Sequence, residues 1–118
     1  MRILFDQGTP APLRRSLTAH VVSTAYEQGW STVTNGDLIR LAEQQGFELL
    51  ITTDTNLRYQ QNLQERTIAI LVLSTTSWPR IKAAADQVVE VVADLAPGDY
   101  CELRIPKPPN GSSKNGRQ

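Results

Sequence analysis

Leu49-Leu50-Ile51-Thr52-Thr53-Asp54-Thr55-Asn56 is the stretch on which the fold turns. Three consecutive apolar residues, without alternation, describe a strand buried on both faces, as in a parallel sheet covered by helices. The same grammar recurs upstream, where Ile3-Leu4-Phe5 runs straight into Asp6. It recurs downstream in the longer run Ile68-Ala69-Ile70-Leu71-Val72-Leu73, while His20-Val21-Val22 is a weaker candidate. Residues 100–105 differ: Cys101, Leu103 and Ile105 alternate with Tyr100, Glu102 and Arg104, as in an edge strand with one wet face.

Helical spacing fills the gaps between these runs. Pro10 and Pro12 suit the first turn of a helix carrying Leu13 and Leu17. Asn35 is the expected N-cap of a helix with Leu38, Leu41 and Ala42 on one face, stopped at Gly46. Behind Ser77 and Pro79, the residues Ile81, Ala84, Ala85, Val88, Val92 and Leu95 repeat at three and four, which predicts one helix ended by Pro97-Gly98. Strand and helix in strict alternation predict an α/β fold with a mostly parallel sheet.

The chain has 118 residues and 40% hydrophobic composition, which fits one domain. Its single cysteine, Cys101, excludes an internal disulfide framework and a multi-cysteine zinc site. No run approaches the ~18 apolar residues of a membrane helix. The opening Met1-Arg2-Ile3-Leu4-Phe5-Asp6 meets an acid before a signal-peptide core can form, so the expected compartment is the cytoplasm. Twelve Lys and Arg balance twelve Asp and Glu, but unevenly. Residues 1–105 hold all twelve acids and nine of the bases, a net −3, and residues 106–118 hold the other three bases. Apart from those bases and Gln118 that tail is Pro, Gly, Ser and Asn, and it is expected to be a disordered basic extension to a domain spanning residues 1–105. Neutral overall charge offers no bulk attraction for nucleic acid or for an anionic membrane.

Chemistry is expected at the carboxyl ends of the strands, where open α/β sheets bind their ligands. Asp6 and Asp54 both follow strands there, and Asp37 opens the helix after the second strand, at the same edge. Converging carboxylates repel unless a cation lies between them, and all-oxygen ligands suit Mg²⁺ or Mn²⁺ better than zinc. Each acid also has a local role open to it: a cap for Asp6, the helix dipole for Asp37, and a turn for Asp54. Arg14, Arg15 and Arg58 stand where a guanidinium can reach a substrate phosphate. Tyr26, Trp30, Tyr59 and Trp78 suit either packing or base stacking. The polar run Gln60-Gln61-Asn62 suits a surface facing a partner or substrate. His20, the one histidine, reads as structural.

Ile3-Leu4-Phe5-Asp6 with Pro10 close behind, the acid at Asp37, and Leu49-Leu50-Ile51-Thr52-Thr53-Asp54-Thr55-Asn56-Leu57 together resemble the small single-domain PIN-like proteins, predicted ribonucleases of VapC toxin type. The likeness covers about residues 1–95. It implies a three-layer α/β/α fold with sheet order 3-2-1-4-5 and a divalent-metal site at Asp6, Asp37 and Asp54. It implies cleavage of RNA, with Mg²⁺ or Mn²⁺ as cofactor and an antitoxin protein as partner. Two departures stand out. Gln7-Gly8-Thr9 replaces the usual Glu-Asn-Leu, and Asn56 stands where a further acid is expected, offering a neutral carbonyl oxygen instead. They leave a catalytically degenerate PIN-like binding module as the alternative. A phospho-acceptor receiver domain is set aside, because Asp6 has Gln7 rather than an acid beside it and Lys82 falls inside a predicted helix. An exposed edge strand also makes a homodimer an expected assembly.

Overall fold

The computed structural model describes residues 1–57 and 66–107. Five strands form one sheet: β1 (Arg2–Phe5), β2 (Val21–Thr24), β3 (Leu49–Thr52), β4 (Ala69–Leu73) and β5 (Tyr100–Leu103). All four pairings are parallel, and the spatial order is β2-β1-β3-β4-β5.

This order corrects the expected 3-2-1-4-5. The expected order puts the second strand between the first and third, covered on both sides. Instead β1 occupies that place, with Leu4 opposite Ser23 of β2 and Leu50 of β3. Burial explains the choice. Ile3, Leu4 and Phe5 are fully buried, whereas Val21 is 67% exposed and Ser23 and Thr24 are only half-buried. The strand with the fewest apolar groups takes the edge, where it has one neighbour and least to bury. The other edge belongs to β5, as its alternation predicts.

Period-two geometry sends successive side chains to opposite faces, and each face carries its own core. Ile3, Phe5, Leu49, Ile51, Leu71 and Leu73 meet Leu13 of a 3₁₀ helix (Ala11–Ser16), Leu17 just after it, and Ile81, Val88 and Val92. The last three come from two helices, α2 (Trp78–Ala83) and α3 (Ala85–Asp94). On the other face Leu4, Leu50, Ile70 and Val72 meet Leu38, Ile39 and Ala42 of α1 (Asn35–Gln44), together with Phe47. Helical segments therefore cover both faces. Each fully buried Leu or Ile contributes about 1.5–3 kcal/mol relative to exposure.

Local boundaries differ from expectation in two places. Thr34, not Asn35, is the N-cap of α1, which leaves the Asn35 side chain free for another partner. The predicted single helix after Ser77 breaks at Ala84, where φ is −107° and the N–H bonds back to Ile81. Ser77 does cap α2, accepting from the Arg80 N–H at 3.4 Å. Gly46, at φ +81°, ends α1 in a conformation that costs any side chain with a Cβ about 1–2 kcal/mol. The chain leaves β5 under control: Ile105 is buried, and Arg80 donates to the Ile105 and Pro106 carbonyls at 2.7 and 3.2 Å. Of the expected tail, residues 108–118 lie outside the described residues.

Among the described residues no helix is long and apolar enough to cross a membrane.

Candidate functional site

Strand order decides where to look. From β1 the chain moves to β2 on one side, then crosses to β3 on the other, so the order reverses between β1 and β3. In open parallel sheets the carboxyl ends at such a reversal form a crevice. Asp6 follows β1 directly, and Thr52 closes β3 beside it.

Asp6 is 5% exposed and Thr52 fully buried. The Thr9 hydroxyl lies 2.6 Å from Asp6 Oδ1 and 3.0 Å from the Ile51 carbonyl. The Thr52 hydroxyl donates to Asp6 Oδ2 at 2.5 Å. The Asp54 N–H donates in turn to Thr52 Oγ1 at 3.0 Å. One hydroxyl thus ties the two acids into a chain of aligned bonds, each polarising the next. Asp54 Oδ1 accepts the Asn56 N–H at 3.0 Å, and Oδ2 accepts the Asn35 side-chain amide at 2.7 Å. The first of these is an Asx turn that holds the loop after β3. The second anchors the start of α1 to the same edge.

Asp37 behaves differently. It lies in the first turn of α1 and pairs with Arg40, one helical turn on, with the two side chains 56% and 65% exposed. No hydrogen bond joins it to Asp6 or Asp54. Among the described residues no group of three or more acidic, histidine or cysteine side chains is placed to hold a metal ion.

The remaining expected residues divide similarly. Arg14 is half-buried and bonds Glu27 at 2.8 Å. That bond first, and the Thr24 N–H second, hold the Glu27 carboxyl below the ordinary carboxylate range. Arg15 is exposed, as is Asn56, whose backbone rather than side chain serves Asp54. Arg58, Tyr59 and Gln60-Gln61-Asn62 lie outside the described residues. Tyr26 is 80% exposed. Trp30 packs on the α1-side core and against Phe47, with ring centroids 6.3 Å apart and edge to face. Trp78 packs partly against the other core.

Asp6 opens into a cleft of about 660 Å³ whose walls include Thr9, Arg14, Tyr26, Thr76 and Trp78. The loop that floors it is Gln7-Gly8-Thr9, and each residue of the unexpected tripeptide has a task. The Gln7 amide donates to the Trp30 and Val33 carbonyls, both at 2.9 Å. Gly8 leaves no room for a Cβ against Thr53 Oγ1, which lets the two strand-end loops touch. Thr9 supplies its hydroxyl to Asp6. Sequence reasoning missed Thr9, Thr52 and Asn35 as site residues. The signal available was a buried acid flanked by hydroxyl and amide residues at both converging strand ends.

Comparison of the chain with protein-family models, curated proteins and solved structures finds no match in any of the three.

Proposed function

We propose that the chain is a PIN-like endoribonuclease that hydrolyses RNA phosphodiesters with Mg²⁺ or Mn²⁺, the toxin of a toxin–antitoxin pair. The observation that carries this reading is Asp6: a 5%-exposed carboxylate at the sheet's reversal point, met among the described residues by two neutral hydroxyls and no cation. A carboxylate withdrawn from water without a countercharge is stabilised by a cation brought to it.

The donor set suits a hard ion. Asp6 and Asp54 supply two carboxylates, and Mg²⁺ characteristically takes one or two of these with substrate phosphate and water completing the shell. Asp37 joins them only by releasing Arg40, and Asn56 adds a neutral oxygen at most. When bound, the ion supplies Lewis-acid stabilisation of charge developing on the phosphate. The chain's own residues do the positioning. Thr9 and Thr52 fix the plane of the Asp6 carboxylate, and Asn35 fixes that of Asp54. Arg14, steadied by Glu27, stands on the wall of the Asp6 cleft as a phosphate contact, and the exposed Tyr26 ring offers a stacking surface for an unpaired base.

A catalytically degenerate PIN-like binding module is the second reading. The exposed Asp37–Arg40 pair and the absence of a three-ligand cluster among the described residues favour it.

Incubation of RNA with the purified chain and Mg²⁺ or Mn²⁺ tests the proposal, with EDTA, Asp6→Asn and Asp54→Asn as controls. Metal-dependent cleavage that falls about 100-fold or more in both variants is expected, the scale of removing one charge-stabilising group from an active site. Cleavage that persists in the variants, or none with either metal, overturns it. Calorimetric titration with Mn²⁺ separates the two readings, because tight binding lost in Asp6→Asn speaks against a degenerate site.

A further inference from the structure

A second cleft, of about 700 Å³, opens at the same edge of the sheet, between the ends of β4 and β5 and the first turn of α2. Among the described residues its lining is basic: Arg80, Arg104 and Lys107 against the single carboxylate of Glu102, whose Oε2 accepts the Tyr100 hydroxyl at 2.7 Å. Among the described residues none of the three cations enters an ion pair. Two of them, Arg80 and Arg104, come from residues 1–105, which carry net −3, and Lys107 comes from the basic residues that follow. Unpaired like charges gathered on one concave wall raise the local potential and attract an anion.

The cleft is built in advance of any ligand. Arg80 is held by the Ile105 and Pro106 carbonyls through Nη2 and Nε, which leaves the other edge of the fork with donors to spare. The Ile105 N–H donates to Ser74 Oγ at 2.8 Å, tying the end of β5 to the end of β4. A guanidinium fixed in this way has already lost the rotamer freedom that anion binding would otherwise cost.

Position supplies the chemical class. Thr55, adjacent to Asp54, lines this cleft, so the basic wall begins where the acidic rim ends. A polyanion with one phosphodiester at Asp6 and Asp54 continues onto it. We infer that the cleft binds the sugar–phosphate backbone of single-stranded RNA, with Arg80, Arg104 and Lys107 as phosphate contacts. The inference rests on the ribonuclease reading and assigns that reading its substrate track.

Binding is measured apart from cleavage. A dye-labelled ten-nucleotide oligouridylate is titrated with the full chain in EDTA, by anisotropy, over a series of salt concentrations. The three phosphate contacts of this cleft contribute about −2 to the log–log salt slope, at about 0.7 per contact on a single strand. Arg104→Gln with Lys107→Gln should reduce the slope's magnitude by about 1.4 and weaken low-salt binding about ten-fold. Both side chains are exposed, so thermal unfolding of this double variant should match the parent. Arg80→Lys keeps the charge but not the fork and should weaken binding less. Unchanged slope and affinity in the double variant, no RNA binding at all, or tight binding of a poly-glutamate peptide in its place overturns the inference. Because EDTA stops metal-dependent cleavage, failure of the ribonuclease assay with binding intact removes the catalysis and leaves the track.

Discussion

The two edges of the sheet are furnished with the same kinds of side chain and employ them differently. At the amino edge, polar groups close loops onto one another. The Arg2 N–H donates to Glu48 at 2.9 Å, and the Arg2 guanidinium caps the Gln45 carbonyl while lying 4.5 Å over the Phe47 ring. Glu43 Oε2 gathers the Thr67 and Ile68 N–H groups, at 2.6 and 3.2 Å, and the Thr67 hydroxyl at 3.1 Å. Arg66 donates to the Gly98 and Asp99 carbonyls at 3.0 and 3.2 Å. At the carboxyl edge Asp6 and Asp54 are also bonded, but to neutral hydroxyls and amides, and Asp6 faces a cleft while three cations face another. Charge by itself therefore does not mark a site. What matters is whether a charged group is answered by its own loops or left to be answered from outside.

The strongest challenge to this contrast is Thr52→Val, which keeps the shape and removes the hydroxyl between Asp6 and Asp54. It should lower unfolding free energy by about 2–3 kcal/mol, because a buried bond to a carboxylate and the acceptor for the Asp54 N–H are lost together. Urea denaturation measures it, and a loss under about 0.5 kcal/mol would mean that the carboxyl edge is no more tightly organised than solvent-exposed surface. The amino-edge counterpart is Glu43→Ala. It should cost about 1 kcal/mol, because water replaces part of what a half-buried carboxylate provided, and should leave RNA cleavage unchanged. A loss of cleavage at normal stability would show the two edges to be coupled.

The smallest effect concerns pH. Partial burial, and next the Met1 ammonium 3.1 Å from Nδ1, hold His20 below the ordinary histidine value of 6.5, against an opposing pull from Glu48. The unfolded chain therefore takes up this proton first as pH falls. His20 contributes stability above about pH 6.5 that is lost as pH drops through its lower folded value. Denaturation at pH 7.5 and 5.5 should show a smaller decline in His20→Gln than in the parent, and an equal decline would remove His20 from the account.

Much of the architecture is legible because strands buried on both faces need unbroken apolar runs. Residues 3–5, 49–51 and 68–73 announce β1, β3 and β4 in this way. Polar Ser23 and Thr24 suit an edge position for β2, but strand order depends on contacts between distant segments and no local pattern states it. The break at Ala84 had no signal, since Lys82-Ala83-Ala84-Ala85 are strong helix formers and the interruption arises against the core. In the site, Asp6 and Asp54 could be found because they terminate strands. That Asp37 turns outward to Arg40 follows from side-chain direction on a helix, one turn of which decides between rim and solvent.

Thr52 links these levels. Its single proton goes to Asp6 and its lone pair receives Asp54, so the bridge has a direction. Anything that draws the Asp6 carboxylate toward a ligand pulls on that hydroxyl, and through it on the backbone at position 54 and the Asx turn beyond. Occupancy at the end of one strand is thereby reported as tension in the loop that follows another.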